Sequence, residues 1–312
     1  FHFTGAELRG YLDRKIERDL SERDLRHRHK FLECRNRGDI PTPVTMDREC
    51  SAGGRILDHK DGFVLDRREI LKGGSVVVCQ TLAIAKLVAV IREVLVRAFH
   101  PHDPREAHGK LDFETYTRII LETYGTFIED ERVHPIMTAF MEQMGMDPEH
   151  VIYEWPGFRL VFPEGSREPG FYRTTVSGLL APHRDTWYGS PHHQINFWGP
   201  VWPIDSDATL RVFPRYYLKS IKNATPGYDI WQQYVGLALV PGIRQTVIQE
   251  DPVAPPLEVG DVFCFAAHQL HASAVHGGDT TRISFEFRLL HQEDKGAPHV
   301  PPNIDYYGCG EI

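Results

Sequence analysis

Seven residues, Arg282–Arg288 (RISFEFR), alternate strictly between polar and apolar side chains. Successive side chains of a β-strand point to opposite faces, so this pattern predicts a strand whose apolar face carries Ile283, Phe285 and Phe287. The other face carries charged and hydroxyl side chains. We therefore expect this strand to cover a core on one side and to line a polar site on the other.

Short runs of β-branched and aromatic residues continue this pattern through the second half of the chain, separated by proline and glycine. Several short strands at such spacing predict an antiparallel sandwich or barrel. The predicted strands are Phe158–Phe162, Phe171–Val176, Gln194–Trp198, Leu210–Phe213, Gln245–Ile248, Val262–Ala266 and Arg282–Leu290.

The first half of the chain has helical periodicity instead. Apolar residues recur every three to four positions across Gln80–Ala98, which predicts an amphipathic helix. A second helical region is predicted over residues 113–144, with an interruption near Pro135. The mixed charges of residues 5–30 predict a solvent-facing helix, and the prolines and glycines of residues 36–56 predict an extended loop.

No flexible linker separates the two halves, so we expect one domain over residues 1–312. Its predicted parts are a mainly helical front over 1–150, a β core carrying the site over 151–295, and a C-terminal tail over 296–312. The fold class expected is mainly β with flanking helices.

Composition and charge exclude several classes of protein. The 312 residues carry a formal net charge of −8, which disfavours a nucleic-acid partner. Charged residues interrupt the longest apolar run, Leu82–Val96, so neither a membrane span nor a membrane partner is expected. The first residues lack the pattern of a secretory signal. Five cysteines without a CxxC pair favour a reducing compartment, and we expect a cytoplasmic location.

The 17 histidines prompt a search for a metal site. His183 and Asp185 are two positions apart, and on an extended segment both side chains leave by the same face. Two histidines and one carboxylate form the facial triad that holds Fe(II) and leaves three positions open. The third ligand must come from a distant segment, where His268 and His271 are both candidates.

Arg282 lies on the polar face of its predicted strand. A buried guanidinium needs an anionic partner, and its planar fork suits a carboxylate. That partner is either a bound acid or a protein acid such as Glu286.

Together these motifs resemble the Fe(II)/2-oxoglutarate-dependent oxygenases, and most of all the phytanoyl-CoA dioxygenase-like group. The pattern in that group is His-x-Asp, a long insert, a second histidine, about ten residues, and Arg-x-Ser. Here the matching residues are His183 and Asp185, then His271, then Arg282 and Ser284 after ten intervening residues.

The similarity extends over about residues 155–290 and implies a double-stranded β-helix core of the jelly-roll or cupin-like type. It implies that His183, Asp185 and His271 are the iron ligands. It further implies that Arg282 pairs with the distal carboxylate of the co-substrate 2-oxoglutarate, and that O2 is the oxidant.

Other residues receive roles near the iron. Ser273 matches a hydroxyl that often binds the co-substrate, and Ser284 fits an auxiliary hydroxyl. Gln194 and Asn196 share a strand face, either as co-substrate contacts or as an inner layer of the sandwich. The candidate substrate contacts are Arg159, Arg173, Trp187, Trp198, Arg211 and Arg215.

The resemblance implies a dioxygenase that oxidises a C–H bond of a small, carboxylate-bearing metabolite in secondary metabolism. Hydroxylation is the default outcome, with desaturation, epoxidation or ring closure, such as aziridine formation on an amino acid, as alternatives. The carboxylate of Asp185 disfavours halogenation. A non-catalytic cupin-like metal-binding protein is the alternative of another class, and a zinc hydrolase is disfavoured because no His-Glu-x-x-His motif is present. The oligomeric state is left open.

Overall fold

The computed structural model describes most of the chain from residue 56 onward. The described parts are residues 56–59, 64–163, 182–204, 208–221, 257–274 and 277–302, with Asn223, Ile243, Ala254, Ile304 and Asp305. The helix predicted over 5–30, most of the loop predicted over 36–56, and the strands predicted at Phe171–Val176 and Gln245–Ile248 lie outside these residues.

Seven strands form one large sheet. They are β1 (Ile56–His59), β2 (Val76–Gln80), β3 (Val151–Tyr153), β4 (Gly157–Val161), β5 (Gln194–Pro200), β7 (Asp261–Ala266) and β9 (Arg282–His291). The strand order is β1-β2-β7-β5-β9-β3, and β4 also pairs with β9. The β1–β2 pair is parallel and every other pair in this sheet is antiparallel.

Two short strands, β6 (Arg211–Val212) and β8 (His271–Ala272), form a second, small antiparallel sheet. His183 extends this sheet, because it forms an isolated antiparallel bridge with His271. The mainly antiparallel β architecture with flanking helices confirms the expected fold class.

In the described part of the chain, four α-helices accompany the sheets: α1 (Arg67–Gly73), α2 (Leu82–Phe99), α3 (Phe113–Ile128) and α4 (Val133–Gln143). The first three begin at side-chain caps, as Asp66, Thr81 and Asp112 each accept a hydrogen bond from a backbone N–H of the first turn. Gly74, with φ 64°, ends α1 in the left-handed region.

The predicted break in the second helical region lies before Pro135 and not at it. Residues 129–132 separate α3 from α4, and Pro135 lies in the first turn of α4. Proline is tolerated there because the backbone N–H groups of a first turn have no acceptor within the helix.

The helices pack on one face of the large sheet. That face carries Phe197 of β5 and Phe287 of β9, and the ring of Phe140 from α4 meets both, at centroid distances of 5.4 and 5.2 Å. The opposite face carries Phe263 and Trp198, which pack in a separate core with Val212 of the small sheet. The sheet thus has a helix-covered face and an inner face toward the small sheet.

The part of the chain predicted to be mainly helical also contributes β1 and β2 to the large sheet. Burial of Val76, Val77, Val78 and Cys79 on successive positions explains why β2 lacks the alternation of a half-exposed strand. Among the described residues, no helix combines the length and apolar character needed to cross a bilayer.

Candidate metal centre

Three side chains that can bind a metal converge between the two sheets. One nitrogen each of His183 and His271 and one carboxylate oxygen of Asp185 all lie within 4.8 Å of one another, and all three residues are buried. Among the described residues this is the one such cluster of histidine, cysteine, aspartate and glutamate.

Backbone pairing brings the two histidines together. The N–H of His183 donates to the carbonyl of His271 at 2.9 Å, and the N–H of His271 donates back to the carbonyl of His183 at 3.0 Å. Residues opposite each other in a ladder present their side chains on the same face. The ring centroids are accordingly 4.3 Å apart.

Asp185 reaches the same side although it is not part of a strand. Arg184 is extended, with φ −115° and ψ 138°, so the side chains of His183 and Asp185 leave on one side and that of Arg184 on the other. Asp185 then begins a 3-10 turn, Asp185–Tyr188. The predicted shared face is present, but the segment is a bridge followed by a turn.

One carboxylate oxygen of Asp185 faces both imidazoles. Its Oδ1 lies 3.5 Å from Nε2 of His183 and 3.4 Å from Nε2 of His271. Nδ1 of His271 lies 2.9 Å from the carbonyl of Gln269, so this nitrogen donates and Nε2 is left as a lone-pair donor for a metal.

The other carboxylate oxygen of Asp185 is held by the large sheet. Asn196 donates from Nδ2 to Oδ2 of Asp185 at 2.8 Å, and Nε of Arg288 lies 3.4 Å from the same oxygen. Gln194 donates to the side-chain oxygen of Asn196 at 2.8 Å. The two predicted co-substrate residues Gln194 and Asn196 thus form a chain of hydrogen bonds that ends on Asp185.

Electrostatics favour the protonation states that a metal requires. Burial alone would raise the pKa of Asp185, but the charges of His271, His183 and Arg288 and the hydrogen bond from His183 hold this pKa well below its usual range. Burial and the neighbouring His183 lower the pKa of His271 to about 4, against the opposing effect of Asp185. Near neutral pH the carboxylate is charged and the His271 ring is neutral.

Arg282 lies on the inner face at the start of β9 and is only 3% exposed. Its Nη1 donates to the carbonyl of Ala208 at 2.9 Å, and its guanidinium lies over the ring of Trp198 at 5.5 Å. Its Nε and Nη2 have no hydrogen-bond partner among the described residues. Burial and the charge of Arg159 lower the pKa of Arg282 to about 10.

Three further buried polar atoms that have no partner in the described part of the chain lie on residues near Arg282. They are Nε1 of Trp198, Oγ1 of Thr209 and Oγ of Ser284. Ser284 shares the strand face of Arg282, and Thr209 follows Ala208, whose carbonyl binds Arg282. Since buried polar groups are normally paired, this grouping suits a bound anion with several oxygens.

The alternative pairing of Arg282 with Glu286 is not the one observed. Glu286 accepts hydrogen bonds from Arg159, at 3.1 Å from Nε and 2.8 Å from Nη2. Burial would raise the pKa of Glu286, but Arg159 and Arg288 lower it to about 2. Arg159, a predicted substrate contact, therefore already holds a carboxylate.

The other predicted site residues lie in varied places. Trp187 donates to Asp305 at 3.1 Å and packs against Phe213, and Trp198 lies on the inner face as described above. Arg211 pairs with Ala272 in the small sheet, on the face opposite that of His271. Ser273 is half-buried, Arg215 is exposed, and Arg173 lies outside the described residues.

The rival ligand His268 lies behind the metal cluster. Its Nε2 is 2.9 Å from Nη1 of Arg184. Arg184 belongs to residues 183–188, which we call the ligand segment, and its side chain lies on the side of this segment away from the triad of His183, Asp185 and His271. Spacing alone could not separate His268 from His271, whereas the backbone bridge to His183 does so directly.

Sequence reasoning missed the contact of Arg288 with Asp185. Its side chain is 25% exposed, and Nη1 also donates to Glu154 at 2.6 Å. The alternation of polar and apolar residues in β9 places Arg288 on the same face as Arg282 and Ser284, and this pattern could have indicated that Arg288 lies near the site. The partners of Asp185 could not be identified from that signal.

Comparisons with solved structures find distant likenesses. EvdO2 from Micromonospora carbonacea var. aurantiaca, complexed with 2-oxoglutarate, is 14% identical over 74% of this chain and 92% of that chain, with a TM-score of 0.47. The non-haem monooxygenase ThoJ is 12% identical over 72% of this chain and 77% of its own, with a TM-score of 0.40.

A third neighbour is SnoN, a non-haem α-ketoglutarate-dependent epimerase from nogalamycin biosynthesis. It is 14% identical over 67% of this chain and 74% of that chain, with a TM-score of 0.34. No family model and no curated protein matches this sequence. These low identities and TM-scores assign no family to this chain.

Replacing Asn196 with alanine should weaken metal binding, because Oδ2 of Asp185 loses its 2.8 Å hydrogen bond. Loss of a group that orients a metal ligand costs about 10- to 100-fold in affinity. Titration of the metal-free protein with Co(II), followed by visible absorbance, measures this. Gln80→Ala is the matched control, because it removes an amide that donates to Asp261 on the same sheet. Equal Co(II) affinity in Asn196→Ala and Gln80→Ala would contradict the role of Asn196.

Proposed function

We propose that this protein is a non-haem Fe(II)/2-oxoglutarate-dependent dioxygenase of the phytanoyl-CoA dioxygenase-like type. The observation that carries the proposal is a buried His-Asp-His cluster together with a buried arginine, two of whose donors have no partner among the described residues, both on the inner side of the large sheet. His183, Asp185 and His271 would bind the iron, and Arg282 would bind the co-substrate.

The donor set fits Fe(II). Two imidazole nitrogens and one carboxylate oxygen on one side of an ion leave positions free for a chelating co-substrate and O2. When bound, the iron would couple oxidative decarboxylation of 2-oxoglutarate to oxidation of a substrate C–H bond. The protein holds Asp185 through Asn196 and keeps the His271 ring neutral, so the ligands are arranged before the metal arrives.

The environment of Arg282 fits a dicarboxylic acid. A carboxylate accepts a bidentate contact from a guanidinium, and Nε and Nη2 are the two donors still available on Arg282. The hydroxyls of Ser284 and Thr209 and the Trp198 N–H would supply further hydrogen bonds. We infer that Trp198 and Thr209 contact the co-substrate, in addition to the residues expected from the sequence.

The same arginine disfavours the non-catalytic alternative. A protein that only stores a metal has no use for a buried guanidinium with unmatched donors, which costs stability unless an anion is bound. Among the described residues Arg282 is at hydrogen-bond distance from one acceptor, the carbonyl of Ala208.

Anaerobic addition of Fe(II) and 2-oxoglutarate should produce a weak visible charge-transfer band, and admission of O2 should release succinate. His271→Ala should abolish both and lower metal occupancy, because the ion loses one of three ligands. His268→Ala is the matched control, since it removes an equally buried imidazole behind the cluster. The ligand assignment is wrong if His271→Ala keeps its iron while His268→Ala loses it.

Arg282→Ala should weaken 2-oxoglutarate binding by about 2–5 kcal/mol, because a buried carboxylate loses its charged partner. Arg282→Lys should recover part of the loss, as an ammonium cannot form the planar double contact. Isothermal titration of the Fe(II)-free, Co(II)-loaded protein measures the affinity. An unchanged 2-oxoglutarate affinity in Arg282→Ala would reject the assignment.

Arg92 offers a close control for these variants. Its Nε donates to the carbonyl of Val201 at 2.6 Å and its guanidinium lies over Trp202 at 5.3 Å, much as Arg282 lies over Trp198. It is on α2, on the other side of the large sheet. Arg92→Ala should therefore lower stability and leave 2-oxoglutarate affinity unchanged.

For the substrate we propose a small, carboxylate-bearing metabolite of secondary metabolism, with hydroxylation as the default outcome. The net charge of −8 disfavours polyanions such as nucleic acids. Of the arginines proposed to hold the substrate carboxylate, Arg159 is paired with Glu286 and Arg211 faces away from His271, so these two positions are not favoured. Arg173 and Arg215 keep that proposed role.

Screening free acids against acyl-CoA thioesters for substrate-stimulated succinate release tests this class. Arg173→Ala or Arg215→Ala should raise the KM for the best acid and leave the 2-oxoglutarate KM unchanged, because each would bind only the substrate carboxylate. Faster succinate release with an acyl-CoA than with any free acid would contradict the proposal.

A further inference from the structure

Arg184 lies between two of the proposed ligands and is completely buried, with 0% exposure. Its side chain points away from the triad. Nη2 donates to the carbonyls of Tyr216 and of Lys219, the latter at 2.7 Å, and Nη1 lies 2.9 Å from Nε2 of His268. The contacts with the two carbonyls connect the ligand segment to the residues that follow β6.

The counter-ion of Arg184 comes from near the C-terminal end of the sequence. Oδ2 of Asp305 lies 2.5 Å from Nη1 of Arg184 and accepts a further hydrogen bond from Nε1 of Trp187 at 3.1 Å. Oδ1 accepts from the backbone N–H of Ile221 at 2.7 Å. Within the described part of the chain, no other carboxylate forms an ion pair with Arg184.

Asp305 therefore binds the ligand segment on both sides of Asp185. Arg184 precedes Asp185 directly, and Trp187 follows two positions later in the same 3-10 turn. When the carboxylate that pairs with a buried guanidinium is removed, the free-energy cost of burying the guanidinium remains. The attraction that offset this cost is lost. His183 and Asp185 are the direct neighbours of Arg184 in the chain, so a shift of its backbone toward solvent or another partner would move both proposed ligands.

We propose that Asp305 is a positioning residue for the metal centre, which acts through Arg184 and Trp187 from the side opposite the ligands. A residue that follows the β core thus supports the metal site from behind. None of the described residues after the β core is among the three proposed ligands. The inference rests on the ligand set of the proposed function, and metal affinity alone tests it.

The test is Co(II) titration of the metal-free protein and of Asp305→Asn, under conditions where circular dichroism shows both to be folded. Asparagine keeps one oxygen acceptor, but in either orientation its NH2 faces a donor, the N–H of Ile221 or the donors of Arg184 and Trp187, and the negative charge is lost. The Co(II) dissociation constant should rise about 10- to 100-fold, the usual effect of disturbing a group behind a metal ligand.

Asp294→Asn is the matched control. Asp294 is also a buried carboxylate, 3% exposed against 2% for Asp305, and it binds Arg67 at 2.7 Å and His299 at 3.0 Å. Within the described part of the chain, neither of these partners belongs to the ligand segment. Both variants should melt at lower temperature, while only Asp305→Asn should lose Co(II) affinity. Wild-type Co(II) affinity in Asp305→Asn would show that Asp305 is merely structural and overturn the proposal.

A double variant distinguishes the loss of charge pairing from a general loss of stability. It also provides a test if Asp305→Asn does not fold. Arg184→Met/Asp305→Asn removes the cation together with its partner, and it should bind Co(II) more tightly than Arg184→Met alone and, where Asp305→Asn folds, more tightly than that variant as well. Purely additive weakening would overturn the proposal. His271→Ala is titrated in parallel, because unchanged Co(II) binding there would refute the ligand set and not the role of Asp305.

Discussion

The reciprocal backbone hydrogen bonds between His183 and His271 are the constraint on which the site depends. They hold the ligand segment against β8 and set the spacing of the two imidazoles. Because Arg184 continues in an extended conformation, Asp185 joins the histidines and Arg184 is directed into the protein behind them. One backbone pairing thus defines both the metal-binding side and the opposite side of the segment.

The two buried arginines near the metal centre, Arg184 and Arg282, differ in the hydrogen-bond and charge partners that each has. Arg184 has Asp305 as a counter-ion and two backbone carbonyls as acceptors, so its charge is compensated within the chain. Among the described residues Arg282 has one acceptor, the carbonyl of Ala208, and the carboxylate of Glu286 accepts hydrogen bonds from Arg159. Since burial costs both guanidinium groups a similar amount, the uncompensated one is the one suited to an external acid.

Periodicity identified the elements in which one face is buried. The alternation around β9 predicted its inner and outer residues, and the helical repeat placed α2 to within two residues. The sequence patterns missed β1 and β3, which are four and three residues long and too short to show a period, and they also missed β2, although β5 and β7 are buried on successive positions in the same way. The metal ligands followed from residue types and from the family resemblance, since spacing left His268 and His271 open.

Contacts between separate segments of the chain could not be predicted from the sequence, because no local pattern of residues indicates them. The contacts of Asn196 with Asp185 and of Asp305 with Arg184 are visible only once the strands and turns are placed. Such contacts nevertheless control the centre, for a metal binds tightly only where its ligands are already oriented. The large sheet holds Asp185 from the front through Asn196 and Arg288. Asp305 holds the same segment from behind, so the carboxylate that faces the metal is fixed between two independent supports.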